Sequence, residues 1–192
     1  MGESRFITTE VNKKMYKVGD LLFYGSTGTC RVVDITSRDP AGAEKPQKYY
    51  VLSPLYQNYT IYVPVNTTKI PMRPIISKEE AHRLIDLIPS IRVEIFHSRI
   101  INELTQHYKA SLDTHECTDL LKLCMSIYAK KQAVEQQKRK FGAIDERFMN
   151  RAEDLLFGEL AAALDIEREQ VTGYITNRLN KKRNGINYEY SQ

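Results

Sequence analysis

The sequence predicts an α+β protein in which a small N-terminal β-barrel is followed by an all-α domain of about five helices. Over residues 15–73, short apolar runs alternate with polar residues and are separated by turn residues, which is typical of strands. After the Pro-containing link IPMRPI, the apolar period changes from two to about 3.6, which is typical of helices. A chain of 192 residues with 42% apolar content can bury two small cores, so we place the domain boundary near residue 74.

The two ends of the chain are polar. Residues 1–14 show no periodicity, and we expect a disordered arm or a remnant of the expression sequence. Residues 181–192 are basic and are predicted to form a flexible tail, which leaves a helical domain over residues 74–180. No apolar run approaches the roughly 18 residues of a membrane-spanning helix, and the N-terminus lacks the apolar stretch of a signal peptide. We therefore expect a cytoplasmic protein without a membrane partner.

The predicted strands lie in four segments: YKVGDLLFYG, TCRVVDITSR, KYYVLSPLY and TIYVPV. Four strands in about fifty residues, linked as hairpins, predict a small barrel or a strongly bent sheet. The glycines Gly25 and Gly28 favour a turn that needs positive φ over a phosphate-binding loop. Pro64 has no N–H to give to a ladder, so TIYVPV is expected at a strand end or on a sheet edge, where another chain could pair with it.

The helical region opens with a capping box. Ser77 and Glu80 have the spacing at which each side chain accepts a hydrogen bond from the other residue's backbone N–H, which predicts a helix to about Ile88, ended by Pro89.

Apolar periodicity predicts four further helices. The second has Ile100, Ile101, Leu104 and Tyr108 on its apolar face. Asp165 is predicted to cap the last helix. The predicted ranges are about 98–112, 118–140, 144–164 and from 165 onward, with Phe141-Gly142 breaking the chain between the third and fourth helices.

The common signatures of catalysis and metal binding do not occur. There is no Walker loop, G-x-G-x-x-G, nucleophile elbow, H-E-x-x-H or EF-hand spacing, so the sequence predicts neither an enzyme nor a cofactor nor a small-molecule substrate. The three cysteines form no C-x-x-C and are expected to be packing or surface thiols. The four histidines are dispersed on polar stretches, which favours surface side chains over a metal site.

The basic residues cluster near the end of the third predicted helix. The net charge of +4 permits a polyanionic partner without requiring one. Residues 130–140 alone have a net charge of +4, with Glu135 as their one acid. Two interpretations stay open, because helix C-termini favour cations for dipole reasons while such clusters also bind phosphates.

Several motifs in a fixed order resemble the CarD/CdnL family of bacterial transcription regulators. They are Y-K-V-G-D-x-x-F-Y-x-x-x-G, G-T-C-R-V-V-D-I, the pair K-Y-Y-V-L and Y-V-P-V, and the helical Y-K-A-S-L and G-E-L-A, between about Met15 and Leu164. The resemblance implies a Tudor-like domain over residues 15–73, shared with transcription-repair coupling factor, that binds a lobe of the RNA polymerase β subunit. It implies that the helical domain binds promoter double-stranded DNA near the −10 element, at the upstream edge of the bubble, and modulates open-complex stability.

The resemblance also implies polymerase-binding residues. Arg38 falls where the family has a polymerase-contacting arginine. In the family the contact is made by adding β-structure across an exposed edge, which here corresponds to Thr60, Ile61, Tyr62, Val63 and Pro64. Tyr62 stands where an arginine is expected. Polymerase binding would place the protein at the nucleoid.

For DNA binding, the resemblance assigns Lys109 to a basic contact position. Leu104 stands where some members have a tryptophan wedge, and it is equally compatible with a core position on its helix. Gln106 and His107 stand where those members have arginines. The predicted DNA-binding residues are Arg99, Leu104, His107, Lys109, Lys130, Lys131, Lys138, Arg139 and Lys140.

The alternative is an adaptor whose Tudor-like barrel binds another protein or nucleic acid, with the helices serving dimerisation. Recovery of the polymerase β subunit from a bacterial lysate distinguishes the two hypotheses.

Overall fold

The computed structural model describes residues 15–38 and 46–189, and the side chains of that part through residue 183. Residues 1–14, predicted as an arm, lie outside the described residues.

Within residues 15–38 and 46–189, five strands form one antiparallel sheet. They are β1 (Leu21–Tyr24), β2 (Gly28–Arg38), β3 (Gln47–Pro54), β4 (Ile61–Pro64) and β5 (Met72–Pro74), in the order β4-β3-β2-β1-β5. Within the described residues β4 and β5 do not pair, so the sheet is open and the predicted barrel is not confirmed. Strand β5 was predicted as a link, because three residues ending in proline are too short to show an alternating pattern.

Two local features interrupt the regular pairing of β1, β2 and β3. The register of β2 against β3 shifts between Val32 and Asp34, which marks a bulge. A short 3-10 turn, Gly25–Thr27, joins β1 to β2, and Gly25 and Gly28 have φ of 43° and 89°. The prediction that these glycines serve a turn with positive φ is therefore confirmed.

In the described part of the chain, five helices follow the sheet, as predicted. They are α1 (Lys78–Leu87), α2 (Ile101–Asp113), α3 (Cys117–Gln136), α4 (Ala143–Leu164) and α5 (Val171–Glu189). The capping box of α1 is confirmed, because the Glu80 N–H donates to Ser77 Oγ over 3.1 Å and the Ser77 N–H donates to Glu80 Oε2 over 2.7 Å.

Three predicted helix boundaries are corrected. Helix α3 ends at Gln136, so the basic residues 138–140 lie in the loop before α4, where Lys138 has a left-handed φ of 55°. Asp165 ends α4 in the left-handed conformation, and α5 begins after a separate capping box between Glu167 and Gln170. Helix α5 continues to Glu189, so residues 181–189 are helical where a tail was predicted.

Strand β1 lies between two apolar cores. Leu22 and Tyr24 face the core of the sheet, whereas Phe23 belongs to the core formed by the helices. Because strand side chains alternate between faces, one strand supplies both cores. The helical core also takes residues from all five helices, of which Leu120, Ile127, Leu156 and Val171 are almost fully buried.

A buried ion pair joins the sheet to the helices. Arg73 in β5 forms a bidentate pair with Glu159 in α4, whose side chain has no exposed surface. The Arg73 guanidinium also donates to the backbone oxygen of His115 and lies over the Phe23 ring, with 4.5 Å from Cζ to the ring centroid. The Ile76 N–H donates to Glu159 Oε1 over 3.0 Å. Both charged groups are thus satisfied, which a buried charge requires.

We predict that Arg73→Ala lowers the free energy of unfolding by about 3–5 kcal/mol, because it leaves the Glu159 carboxylate buried without a partner charge. Urea denaturation followed by circular dichroism measures the change. The control is Lys122→Ala, which removes an exposed pair with Asp119 and is expected to cost about 1 kcal/mol or less. Equal losses in the two variants would contradict the structural role of Arg73.

Candidate functional site

Strand β4 is an edge of the sheet, as the position of Pro64 predicted. Among the described residues it pairs only with β3, in a register that sets Tyr50 opposite Val63 and Val51 opposite Tyr62. The Val65 N–H donates to the Lys48 oxygen over 3.0 Å, which continues this ladder. Since hydrogen-bonded positions alternate in an antiparallel pair, residues 63 and 65 bond to β3 while the backbone groups of residues 62 and 64 point away from it.

The free edge is therefore short. Tyr62 presents an N–H and a carbonyl to the open side, whereas Pro64 has no N–H and its carbonyl already accepts a hydrogen bond from the Thr67 N–H over 2.9 Å. Thr60, which precedes the strand, is exposed. An incoming strand can add main-chain hydrogen bonds around residues 60–62, and Pro64 prevents the pairing from extending further along β4.

An exposed cation–aromatic pair flanks this edge. Val63 is buried in the core of the sheet, while Tyr62 points outward with 44% of its surface exposed. Arg38 at the end of β2 reaches across β3, and its Cζ atom lies 3.5 Å from the centroid of the Tyr62 ring. The structure thus brings together two predicted polymerase-binding residues. Stacking holds the guanidinium plane in place and leaves its N–H groups available to a partner.

The second feature is a cleft of about 690 Å³ between the start of α2, the end of α3 and the start of α4. Its lining includes five of the nine predicted DNA-binding residues: Leu104 and Lys130, together with three further cations, Arg99, Arg139 and Lys140. All three are exposed, and none of them forms an ion pair with a carboxylate in the described part of the chain. His97 and Gly142 also line this cleft, which we call the basic cleft.

A buried polar triad lies at the base of the basic cleft. Lys130 Nζ donates to Asp145 Oδ1 over 2.8 Å and to the Tyr108 hydroxyl over 3.3 Å. The Tyr108 hydroxyl donates to the same Asp145 oxygen over 2.7 Å. Burial, together with the hydrogen bond to Asp145, raises the pKa of Tyr108 well above its ordinary value, so the phenol stays protonated and remains a donor.

Two predicted DNA contacts are corrected by these observations. Lys130 is only 7% exposed and its ammonium is paired with Asp145, so it is a structural residue and not a phosphate contact. Leu104 is also 7% exposed and packs in the helical core. Because a wedge needs an exposed apolar side chain in the free protein, the burial of Leu104 contradicts the wedge hypothesis and supports the core alternative.

The other predicted DNA-binding residues lie outside the described lining of the basic cleft. Lys109 and Lys138 are exposed, and Lys131 is half-buried with its ammonium 5.8 Å from the Phe141 ring centroid. His107 is stacked on Phe96, with 3.9 Å between the ring centroids, and lines a different depression.

An exposed apolar pair was missed from the sequence. Ile100 and Ile101 were predicted on the buried face of the second helix, yet they are 57% and 66% exposed. The helix begins only at Ile101, so these residues lie at its open end, next to Arg99. Helical periodicity places Ile100 and Ile101 on the same face as Leu104 and Tyr108. The sequence carries no signal that no neighbouring element packs over this end of the face.

The cysteines and the acidic residues build no metal site in the described part of the chain, where no group of three potential ligands is found. All three thiols are buried, which selects packing over surface positions. Burial raises the pKa of the Cys30 thiol to about 12 and also raises the pKa of Cys117 and Cys124, so the thiols stay protonated at neutral pH.

No helix among the described residues is long and apolar enough to cross a membrane.

The structure therefore presents two separate candidate sites, the short free edge of β4 and the basic cleft. Residues 16–76 match the family model of the CarD-like/TRCF RID domain. The match confirms the resemblance over the sheet and identifies a transcription-related domain that interacts with RNA polymerase. The matched segment contains both Arg38 and strand β4.

We predict that Lys130→Met lowers the free energy of unfolding by about 3–5 kcal/mol, since it leaves Asp145 buried without its cation. Thermal and urea denaturation measure the loss. Lys109→Met, at an exposed position of the preceding helix, is the control and should change the stability by no more than about 0.5 kcal/mol. If Lys130→Met unfolds like Lys109→Met, the triad does not stabilise the fold.

Proposed function

We propose that this protein is a transcription regulator that binds a lobe of the RNA polymerase β subunit and promoter DNA at once. The proposed DNA contact is at the upstream edge of the bubble near the −10 element, where binding modulates the stability of the open complex. The proposal includes no catalytic role, no cofactor and no small-molecule substrate, and it places the protein in the cytoplasm, at the nucleoid through polymerase. The observation that carries it is a free strand edge beside an exposed arginine within the matched segment.

The polymerase contact is proposed to form by addition of a β-strand of the polymerase lobe to β4. Main-chain hydrogen bonds at residues 60–62 would supply affinity, and the stacked Arg38 and Tyr62 would supply specificity. The five-stranded antiparallel sheet, with its bulge in β2, is compatible with a Tudor-like domain, which is the architecture that the resemblance implies.

The DNA contact is proposed to form at the basic cleft. Lys130 neutralises Asp145 beneath the cleft, so the charges of Arg99, Arg139 and Lys140 are not offset by an acid in its described lining. Contacts from these cations to phosphates would position the duplex and carry little sequence information.

Any apolar contact with unstacked bases is proposed to come from Ile100 and Ile101. They are exposed, they directly follow the cleft residue Arg99 in the chain, and isoleucine is among the side chains that insert between base steps. Leu104 would instead support the helix from which they project.

The alternative is an adaptor that uses the same edge for another protein or for nucleic acid. Affinity capture from bacterial lysate with the full chain as bait distinguishes the two. Recovery of the polymerase β subunit supports our proposal, and recovery of other proteins without it supports the adaptor.

We predict that Arg38→Glu weakens binding to the isolated β-subunit lobe by at least about tenfold, since it reverses the charge and removes the stack on Tyr62. Biolayer interferometry measures the dissociation constant. The control is Arg31→Glu, the same charge reversal at an exposed position of the same strand, about 23 Å away along it. A folded Arg38→Glu protein that binds as tightly as Arg31→Glu would refute the placement of this contact.

We predict opposite outcomes for two neighbouring apolar residues of α2. Ile101→Ala should shorten the lifetime of the open complex on a promoter template while leaving the melting temperature nearly unchanged, because the side chain is exposed. Leu104→Ala should cost about 2–5 kcal/mol of stability, because it opens a cavity in the helical core. Competitor-challenge assays give the lifetime and calorimetry gives the stability. Our assignment fails if Leu104→Ala shortens the lifetime of the open complex without loss of stability, while Ile101→Ala changes neither the lifetime nor the stability.

A further inference from the structure

Helix α5 carries a row of cations outside the segment that matches the family. Between Val171 and Arg183 it contains Arg178, Lys181, Lys182 and Arg183 and no acidic residue. The last three are exposed. Cations one turn apart on a helix repel each other, and one carboxylate, that of Asp86, offsets only part of this charge.

The row is held in place by contacts between α5 and α1. Val171 is fully buried in the helical core, and the Tyr174 hydroxyl lies 2.7 Å from Nε2 of His82, with the two rings stacked. Arg178 Nε and Nη2 donate to the two carboxylate oxygens of Asp86 over 2.8 and 2.9 Å. The cations therefore project from a docked helix, at defined positions.

A second cleft, of about 620 Å³, lies along this helix and is lined by Asp86, Tyr174, Asn177, Arg178, Lys181 and Lys182. Asp86 is the one carboxylate in the described lining, and it is already engaged by Arg178, with Lys182 Nζ at 3.5 Å. The hydrogen bond from Arg178 lowers the pKa of Asp86, so the carboxylate stays ionised and holds Arg178 and Lys182 on the same cleft. Three cations against one anion leave the lining with an excess charge of +2.

We propose that this surface of α5 binds the phosphate backbone of duplex DNA, as a second contact separate from the basic cleft. This inference rests on the proposed function, which supplies DNA as the partner. An acidic protein fits less well, because protein interfaces are anchored by apolar or aromatic side chains in a central pocket. The one aromatic residue in the described lining, Tyr174, is already engaged by His82. Phosphate contacts need only positioned cations and donors, which Arg178, Lys181 and Asn177 provide.

The test is a salt titration of duplex binding with the full chain. Fluorescence anisotropy on two unrelated duplexes, between about 50 and 200 mM salt, gives the slope of log K against log salt for each protein. The test variant is K181Q/K182Q/R183Q. Two variants with the same loss of three charges are compared with it: R99Q/R139Q/K140Q in the basic cleft, and K17Q/K48Q/K69Q at exposed positions of the N-terminal segment. Melting temperatures verify that all three are folded.

We expect K181Q/K182Q/R183Q to flatten the slope by up to about 2.7, near 0.9 for each phosphate that the variant no longer neutralises, equally on both duplexes. K17Q/K48Q/K69Q should leave the slope unchanged. The inference is overturned if K181Q/K182Q/R183Q has the same slope as the parent, because the row is then only a solvated helix surface. It is also overturned if K181Q/K182Q/R183Q has the same slope as K17Q/K48Q/K69Q, because the row then acts only through net charge.

The outcomes for the two DNA surfaces are distinguishable. If R99Q/R139Q/K140Q alone flattens the slope, the proposed function stands and the inference about α5 is wrong. If only K181Q/K182Q/R183Q flattens it, the inference stands and the basic cleft is wrongly assigned. A parent protein that binds neither duplex over this salt range refutes both DNA surfaces, while the polymerase contact is judged separately by Arg38→Glu.

Discussion

The Arg73–Glu159 ion pair is the interaction on which the arrangement of the molecule depends. It joins the last strand of the sheet to the longest described helix, and the same guanidinium binds the α2–α3 connection and covers Phe23. A buried carboxylate in an ion pair is stable only if the geometry is good and every polar group has a partner. The Arg73–Glu159 pair therefore favours one position of the sheet relative to the helices. With the Tyr56 hydroxyl donating to the Gly158 oxygen over 3.1 Å, it fixes the free edge of β4 relative to the basic cleft. The proposed simultaneous contact with polymerase and DNA would benefit from such a fixed geometry, because no free energy would be lost in ordering two mobile parts on binding.

A second buried cation has a different consequence. Lys130 and Asp145 cancel each other beneath the basic cleft, and Tyr108 completes the triad between α2, α3 and α4. Asp145 lies in the first turn of α4, where a negative charge is favourable. Because Lys130 neutralises it, Asp145 does not reduce the positive charge that Arg99, Arg139 and Lys140 give to the cleft. Basic residues of one sequence cluster thus have separate roles: Lys130 stabilises the bundle, whereas Arg139 and Lys140 face solvent.

The sequence was sufficient for the parts of the fold that local chemistry determines. The Ser77–Glu80 capping box, the turn glycines and the edge position of the strand that ends at Pro64 were all predicted correctly. It was not sufficient where long-range packing decides. Leu104 and Ile101 have the same helical spacing and similar hydrophobicity, yet one is buried and the other exposed, since only the structure shows where the neighbouring helices end. Nor does the sequence show that Lys130 meets Asp145, or that Arg38 crosses a strand to stack on Tyr62.

The central claim is that one molecule contacts the polymerase β subunit through β4 and promoter DNA through the basic cleft. Photo-crosslinking in a single reconstituted open complex tests it most directly, with a benzophenone amino acid placed at Tyr62 in one protein and at Ile101 in another. Both positions are exposed, one in β4 and the other at the start of α2, two residues after Arg99 of the basic cleft. We expect crosslinks from position 62 to the β subunit and from position 101 to DNA at the upstream edge of the bubble. Crosslinks from position 62 to DNA, or from position 101 to protein alone, would contradict it.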